Sequence, residues 1–523
     1  MIRSFLMVST GTLASRLLGF LRDAMIAALL GAGPVADAFL AAFQLVNVVR
    51  RLLSEGALNA SLVPAWLQVR EADGPAAATA FAGRVLGTVS AALIVVATLI
   101  GLLMPLVIAA LAPGFAGHET LQFAVDDARL MLPYLAFAGP TTVMMALLNA
   151  QGRFALTAFS PLLFNIALIG VMVVLLVWRQ NSSQDAADAA LAIATTVGIA
   201  GFLQLLILAW RRDRRSATPL RVAFDREMRG FFGKAIPGMI ASAGPQLLIV
   251  TGAIIASASP SAVSWIYFAN RLIELPLGIV GVAMGTVLVP ELTRALRGND
   301  RVAMMHAESR SLELAVGLAL PATLGLIALS EPIVRLLFEH GLFTAVDTAG
   351  TAQALIWLAL GLPAYVLVKA LSPAFFARND TTTPLLATLK GIAVAIVAAL
   401  VFGRLFGPAG IAASIALGAW SDALSLLRRG AATFGFAIDE AARRRLPRIA
   451  AAALAMGASL WLAARLALRQ SADIHGLVQA TALLVLIIGG IAVYGLLLAL
   501  FGVTGWRDAL NAIRHSPPGD LRA

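Results

Sequence analysis

The chain has 523 residues, of which 60% are hydrophobic and only 13% are charged, whereas soluble domains average about 25% charged residues. This composition excludes a soluble globular enzyme and predicts a protein embedded in lipid. The net charge of +11 comes almost entirely from arginine, and the absence of cysteine excludes disulfides, zinc thiolate sites and a cysteine nucleophile.

Apolar segments long enough to cross a ~30 Å hydrocarbon core as helices recur along the whole chain. The first is predicted to be a membrane helix and not a signal peptide, because Arg16, Arg22 and Asp23 interrupt it and no cleavage site of small residues follows. We predict fourteen spans, near residues 4–30, 36–66, 81–111, 124–150, 157–178, 187–210, 231–257, 262–292, 308–330, 347–375, 384–403, 407–427, 446–468 and 476–502.

The chain also resembles itself at an offset of about 225 residues. GALNASLVP, ending at Pro64, matches GVAMGTVLVP, ending at Pro290, and the loop after Arg153 matches the loop after Arg378. Chance similarity between apolar segments is the alternative explanation. The repeat predicts an all-α polytopic fold of two pseudo-symmetric six-helix lobes plus two C-terminal helices. The predicted boundaries are 1–225, 226–440, 441–510 for the two extra helices, and 511–523 for a cytoplasmic tail.

Arginine is distributed unevenly between alternate loops. If both termini are cytoplasmic, the cytoplasmic loops contain most of the loop arginines, including the run from Arg211 to Arg215, whereas residues 111–125 contain neither lysine nor arginine. Positive charge is retained on the cytoplasmic side of membranes. The pattern therefore predicts a multi-pass membrane protein with both termini on the cytoplasmic side. A general arginine bias of the chain, the alternative, predicts no asymmetry.

Ionisable residues lie inside three of the predicted spans, where a charge at the bilayer centre costs at least ~2.5 to 3.5 kcal/mol. They must face a cavity or a partner. Either they form internal ion pairs and snorkelling contacts, or they line a hydrated anion-binding cavity. The arginines outnumber the acids by one, and planar guanidinium groups suit phosphate oxygens. The arginines are Arg16, Arg22, Arg50, Arg51 and Arg271, and the acids are Asp23, Asp37, Glu55 and Glu274.

No motif for catalysis, metal binding or nucleotide hydrolysis occurs in the sequence. We therefore predict a transporter that is not an enzyme and needs no cofactor or metal. Its energy would come from a coupling ion, the membrane potential or the substrate gradient.

Five segments together resemble the MurJ (MviN) lipid II flippases of the multidrug/oligosaccharidyl-lipid/polysaccharide exporter superfamily. They are SRLLGFLRD from Ser15, AFQLVNVVRRLLSEGALNASLVP from Ala42, YFANRLIELPLGIVGVAMGTVLVPEL from Tyr267, and LFEHGLFT with FFARNDTTTP. The resemblance implies alternating-access export of the undecaprenyl-pyrophosphate-linked peptidoglycan precursor, with the lipid tail held in the bilayer or beside the last two helices. It implies required cavity arginines at Arg16, Arg22, Arg50 and Arg271, supported by Ser15, Asp23, Asp37, Asn47, Arg51, Glu55 and Glu274.

The chain departs from the family pattern at Asn270, where many relatives have Asp, at Val46, where many have Pro, and at His340. Asn270 puts a coupling role for an acid at that cavity position in doubt. The resemblance implies as partners the polyprenyl-pyrophosphate glycopeptide lipid, membrane lipids and the cell-wall synthesis machinery, with no nucleic acid. Three other functions stay open: a flippase for another polyprenyl-linked glycan, a cation-coupled drug exporter, or a membrane scaffold without transport activity.

Overall fold

A computed structural model describes residues 2–54, 57–151, 154–179, 185–210, 220–242, 244–283, 301–376, 378, 380–434, 438–469 and 476–503. The regular structure of these residues is helical, apart from turns and bends. The α-helices are α1 Ile2–Leu30, α2 Pro34–Ser54, α3 Ala57–Ala72, α4 Gly74–Leu102, α5 Met104–Leu111, α6 Glu119–Met131, α7 Pro133–Ala150, α8 Phe154–Arg179, α9 Ala186–Trp210, α10 Arg226–Ser242, α11 Gly244–Ala256, α12 Ala262–Ala283, α13 Arg301–Ala328, α14 Ser330–Phe338, α15 Ala345–Ala359, α16 Leu362–Phe376, α17 Thr382–Phe434, α18 Glu440–Arg469 and α19 Leu477–Leu500.

Many of these helices are apolar and long enough to cross a bilayer, which confirms the prediction of an all-α polytopic membrane protein. Within the described residues, eight qualify by length and composition, or nine if α15 and α16, bent by 41°, form one span. A helix satisfies its backbone hydrogen bonds internally, as a lipid-exposed segment must. The count of fourteen spans stays a prediction.

Several predicted spans are interrupted, and proline or glycine accounts for the breaks. The span predicted at 81–111 divides at Leu103, just before Pro105 in the first turn of α5, because proline fits a helix only there. The spans predicted at 384–403 and 407–427 are the two helical parts of α17, which are separated by a kink at Gly407 (φ 59°, ψ −140°) before Pro408.

The first of two compact units comprises residues 1–271, 337–354 and 381–419. In it α1 packs on α8, α2 on α6, and α7 and α8 on α9. The chain returns to α1 at residues 341–342, where Leu342 N–H donates to Ala28 O at 2.9 Å. Gly341 has φ +61°, and a Cβ there would lie 2.3 Å from Ala28 O, so this close backbone contact requires glycine.

The second unit comprises residues 272–336, 355–380 and 420–523. Here α13 packs on α16 and α18, and α19 packs on α18. Tyr494 on α19 donates its hydroxyl to Gly317 O on α13 at 2.8 Å. The boundaries of the two units differ from the predicted ones at 225 and 440. The repeat and the two six-helix lobes stay predictions.

Candidate functional site

Two arginines share one buried carboxylate in the first unit. Arg22 donates from Nε and Nη2 to Asp23 Oδ1, at 2.9 and 2.6 Å. Arg271 on α12 lies on the other side of the carboxylate, with its Nε 2.5 Å from Asp23 Oδ2. The Asp23 side chain is completely buried, while Arg22 and Arg271 are 7% and 19% exposed. Two guanidinium groups therefore lie against the same buried carboxylate.

Arg22 is fixed on all sides by its surroundings. Its Nη1 donates to Asn165 Oδ1 on α8 at 3.1 Å, and Asn165 donates in turn to Ser15 O at 3.0 Å. The guanidinium also lies 5.1 Å from the ring centre of Phe43 and 5.8 Å from that of Phe164, within the range of cation–π attraction. Arg22 therefore orients Asp23 and supplies charge, without a freely exposed donor face.

Arg16 and Arg271 are better placed for contact with a ligand. Arg16, Gly19 and Asp23 follow one stripe of α1 at helical spacing. Gly19 lies under the end of the Arg271 side chain, since a Cβ there would come 2.7 Å from Arg271 Nη2. Arg16 lies on the same stripe with its side chain exposed, and it has no ion pair within the part of the chain that the structure describes.

Arg50 and Asn47 lie together on α2, where Arg50 Nη2 is 3.4 Å from Asn47 Oδ1. Arg50 is half-buried. Asn47 does not neutralise the positive charge of Arg50, because an amide oxygen contributes only a dipole.

Asp37 has a different position from the other acids. Its carboxylate accepts from the backbone N–H of Ser261 at 2.8 Å and of Ser264 at 2.9 Å, and from the Ser264 hydroxyl. It thus caps the N-terminus of α12, where unpaired N–H groups favour a negative charge. Arg271 lies two turns further along α12, about 10 Å at 1.5 Å per residue. The structure brings Asp37 to α12 but not to the Asp23 cluster.

The remaining predicted positions are described only in part. Asn270 and Glu274 flank Arg271 on α12, and both take part in interactions of their own. The side chain of Arg51 and all of Glu55 lie outside the described residues. Sequence reasoning missed Asn165 and Ser264. An asparagine within the apolar span 157–178 was a usable signal for the first, whereas a serine at a helix start gave none.

Comparisons with known proteins identify the family. The profile of the family described as lipid II flippase MurJ matches residues 26–473. A relative from Rhizobium meliloti (strain 1021), named a probable lipid II flippase MurJ, is 37% identical over 99% of this chain and 96% of its own length.

Solved structures show the same fold. A structure titled lipid II flippase MurJ, inward closed conformation, superposes with a TM-score of 0.78 and 23% identity, covering 97% of this chain and all of the other. An inward-facing multidrug resistance MATE family transporter of the MOP superfamily gives a TM-score of 0.64 and 16% identity, covering 83% and 95%.

The fold is therefore that of the multi-pass transporters in these structures. Because the profile and the relatives cover most of the chain, the chain belongs to the MurJ lipid II flippase family. It is accordingly a multi-pass protein of the inner membrane.

Proposed function

We propose that this chain moves lipid II from the inner to the outer leaflet by alternating access. The observation that carries the proposal is the pair Arg22 and Arg271 on the single carboxylate of Asp23. The negative charge of a pyrophosphate is attracted to such a cluster of guanidinium groups, whose planar donors suit phosphate oxygens. Family membership supports lipid II as the substrate, and the arginine chemistry supports recognition through its pyrophosphate.

The four arginines have different roles in this mechanism. Arg16, Arg50 and Arg271 retain exposed surface and would contact the phosphate oxygens, since guanidinium can bind them in bidentate fashion. Arg22 would hold Asp23 in place. Binding the headgroup away from bulk water strengthens each of these contacts.

The polyprenyl tail would stay in lipid beside α18 and α19. The α19 helix exposes a large apolar surface that includes Leu477, Val485 and Ile491. Exposed apolar side chains along an apolar helix are typical of contact with lipid.

The proposal also includes the orientation, the energy source and the partners of the protein. Both termini are cytoplasmic, and the chain performs no covalent chemistry and uses no cofactor. Energy comes from a coupling ion, the membrane potential or the substrate gradient. The partners are lipid II, membrane lipids and the cell-wall synthesis machinery, with no nucleic acid.

A complementation experiment tests the proposal. In cells depleted of their own lipid II flippase, Arg16→Ala, Arg50→Ala or Arg271→Ala should each fail to restore growth and outer-leaflet lipid II. Arg443→Ala, at an exposed position on α18, is the control and should restore both. Membrane levels of each variant, measured by immunoblotting, separate loss of transport from loss of folded protein.

The alternatives predict different results. Rescue by the triple alanine variant with normal outer-leaflet lipid II would favour a scaffold and refute the proposal. Normal lipid II with accumulation of another polyprenyl-linked glycan would favour a different flippase. Lost drug tolerance with normal lipid II would favour a drug exporter, although an excess of arginine is a poor site for cationic drugs.

A further inference from the structure

The described part of the linker between α9 and α10 has no regular secondary structure and lies against α4. We name residues 220–225 the linker strap. Arg221 N–H donates to Gly83 O at 3.4 Å, and Thr88 exchanges hydrogen bonds with Ala223, donating to its carbonyl at 3.2 Å and accepting from its N–H at 3.1 Å. A Cβ on Gly87 would lie 2.5 Å from Arg221 O. These contacts hold the strap backbone against α4.

The two acids near the strap share one arginine as their ion-pair partner. Arg84 on α4 donates to Asp225 at 2.9 Å and to Glu227 at 2.9 Å. Arg221, Arg226 and Arg229 are exposed, and none of them has an ion pair with a described residue. The strap and the first turn of α10 therefore carry a net positive charge. Four more arginines precede the strap between residues 211 and 215, outside the described residues.

Three apolar side chains of the strap are exposed. Leu220 is 64%, Val222 55% and Phe224 71% exposed. The three occupy alternate positions of a short segment and are all exposed, and we call them the apolar edge of the strap. Because the backbone is bonded to α4, this edge cannot turn inward to be buried. An apolar edge among arginines is the pattern of segments that lie in the interface of an anionic membrane.

We propose that the linker strap is a binding site for anionic lipid headgroups. Leu220, Val222 and Phe224 enter the boundary between headgroups and acyl chains, and Arg221, Arg226 and Arg229 bind lipid phosphates. The occupant is lipid because the apolar edge is narrow and directly flanked by positive charge. A protein partner would need a larger apolar surface. The site is separate from the arginines of α1 and α12 and does not depend on the transported substrate.

The absence of cysteine permits a site-specific test. The full-length Val222→Cys protein is labelled with an environment-sensitive fluorophore and placed in lipid nanodiscs with or without phosphatidylglycerol. Phosphatidylglycerol should shift the emission to the blue and protect the probe from aqueous iodide. Nanodiscs expose both membrane faces, so the result does not depend on the proposed orientation.

Removing the charges should reverse the effect. Arg221→Gln/Arg226→Gln/Arg229→Gln should lower the ratio of inserted to free strap by at least about tenfold, because each arginine near an anionic surface contributes up to roughly a fivefold factor. The matched control, Arg428→Gln/Arg429→Gln/Arg443→Gln, removes equal charge from exposed positions of the second unit. It should leave the Val222 probe unchanged.

Two further measurements keep the test decisive if the triple variant folds poorly. Added salt should expose the probe in the protein with all its arginines, since screening weakens the attraction. A probe at Ile94→Cys, exposed on α4, should report lipid in both nanodisc types. The proposal would be overturned if iodide quenched the Val222 probe equally with and without phosphatidylglycerol, or if salt had no effect on the quenching. It would also be overturned if the probe became shielded from iodide only after a protein extract was added.

Discussion

Asp23 bridges two parts of the chain 248 residues apart, because it contacts both its neighbour Arg22 and Arg271. A buried charge is tolerated only with partners and hydrogen bonds. Asp23 thus has a structural task even before a substrate arrives. When the substrate phosphates bind, they would join a network whose positive groups are already oriented, which lowers the entropic cost of binding.

Asp23→Asn is expected to destabilise the protein by roughly 3 kcal/mol, because it removes the buried carboxylate that Arg22 and Arg271 share. The partial exposure of Arg271 places the value at the lower end of the range for buried pairs. Adding Arg271→Gln should recover part of the loss, as measured by unfolding in detergent. Additive effects of the two substitutions would contradict direct coupling.

The control for this cycle is Glu331→Gln. Glu331 pairs with Arg335 one turn away on α14, with both side chains substantially exposed. Such a pair contributes only about 0.3 to 0.5 kcal/mol to stability. The free energy of unfolding should therefore be nearly unchanged.

At the scale of elements, α4 depends on a glycine for its contact with the linker strap. Gly87→Ala would place a Cβ against the Arg221 backbone, which cannot move aside as a flexible side chain could. We expect the strap to detach and trypsin to cleave after Arg221 faster, since cleavage follows local opening. Gly170→Ala on α8 is the control, because a Cβ there would have no neighbouring atom within 4 Å among the described residues. Equal cleavage of both variants would argue against the clash.

The start of α18 is held by Asp439, whose Oδ1 accepts from Ala442 N–H at 2.7 Å. This bond, with a smaller contribution from His306, lowers the pKa of Asp439 below its usual value. The stabilisation is therefore complete above the usual carboxyl pKa of about 3.9 and is lost as pH falls below it.

Asp439→Ala should accordingly lower the stability of the first turns of α18 by about 1 kcal/mol at neutral pH, as expected for a lost helix cap. The difference from the unsubstituted protein should shrink below about pH 4. This difference is measured by following hydrogen exchange in the first turns of α18 at several pH values. Asp439→Asn retains a capping oxygen and should behave almost normally. A deficit that grows toward low pH would contradict this sign.

At the scale of the whole molecule, the uneven distribution of arginine predicts the orientation in the membrane. His118→Cys, in a segment without lysine or arginine, should react with a membrane-impermeant maleimide from outside the inner membrane. Ser216→Cys, beside the arginine run, should react only after lysis. The native chain, which lacks cysteine, gives the background. The proposed orientation would be contradicted if Ser216→Cys reacted from outside the inner membrane and His118→Cys reacted only after lysis.

The sequence predicted the helical spans well because lipid leaves the backbone few alternatives. The predicted spans at 187–210 and 476–502 correspond to α9 and α19 within two residues at each end. The kink at Gly407 lies where two predicted spans meet, whereas the break at Leu103 was not predicted, since proline permits a kink without requiring it. Arg16, Arg22, Arg50 and Arg271 were recognisable because charge in an apolar span is costly.

The sequence alone thus determined a helical membrane protein, its family and the identity of its exceptional charges, since each follows from local composition or linear motifs. Only the tertiary structure decided which charges meet. It joined Arg271 to Asp23, brought Asn165 to Arg22, and assigned Asp37 to the start of α12. These partners come from distant helices, and helical spacing specifies the face that a residue occupies but not the helix that packs against it.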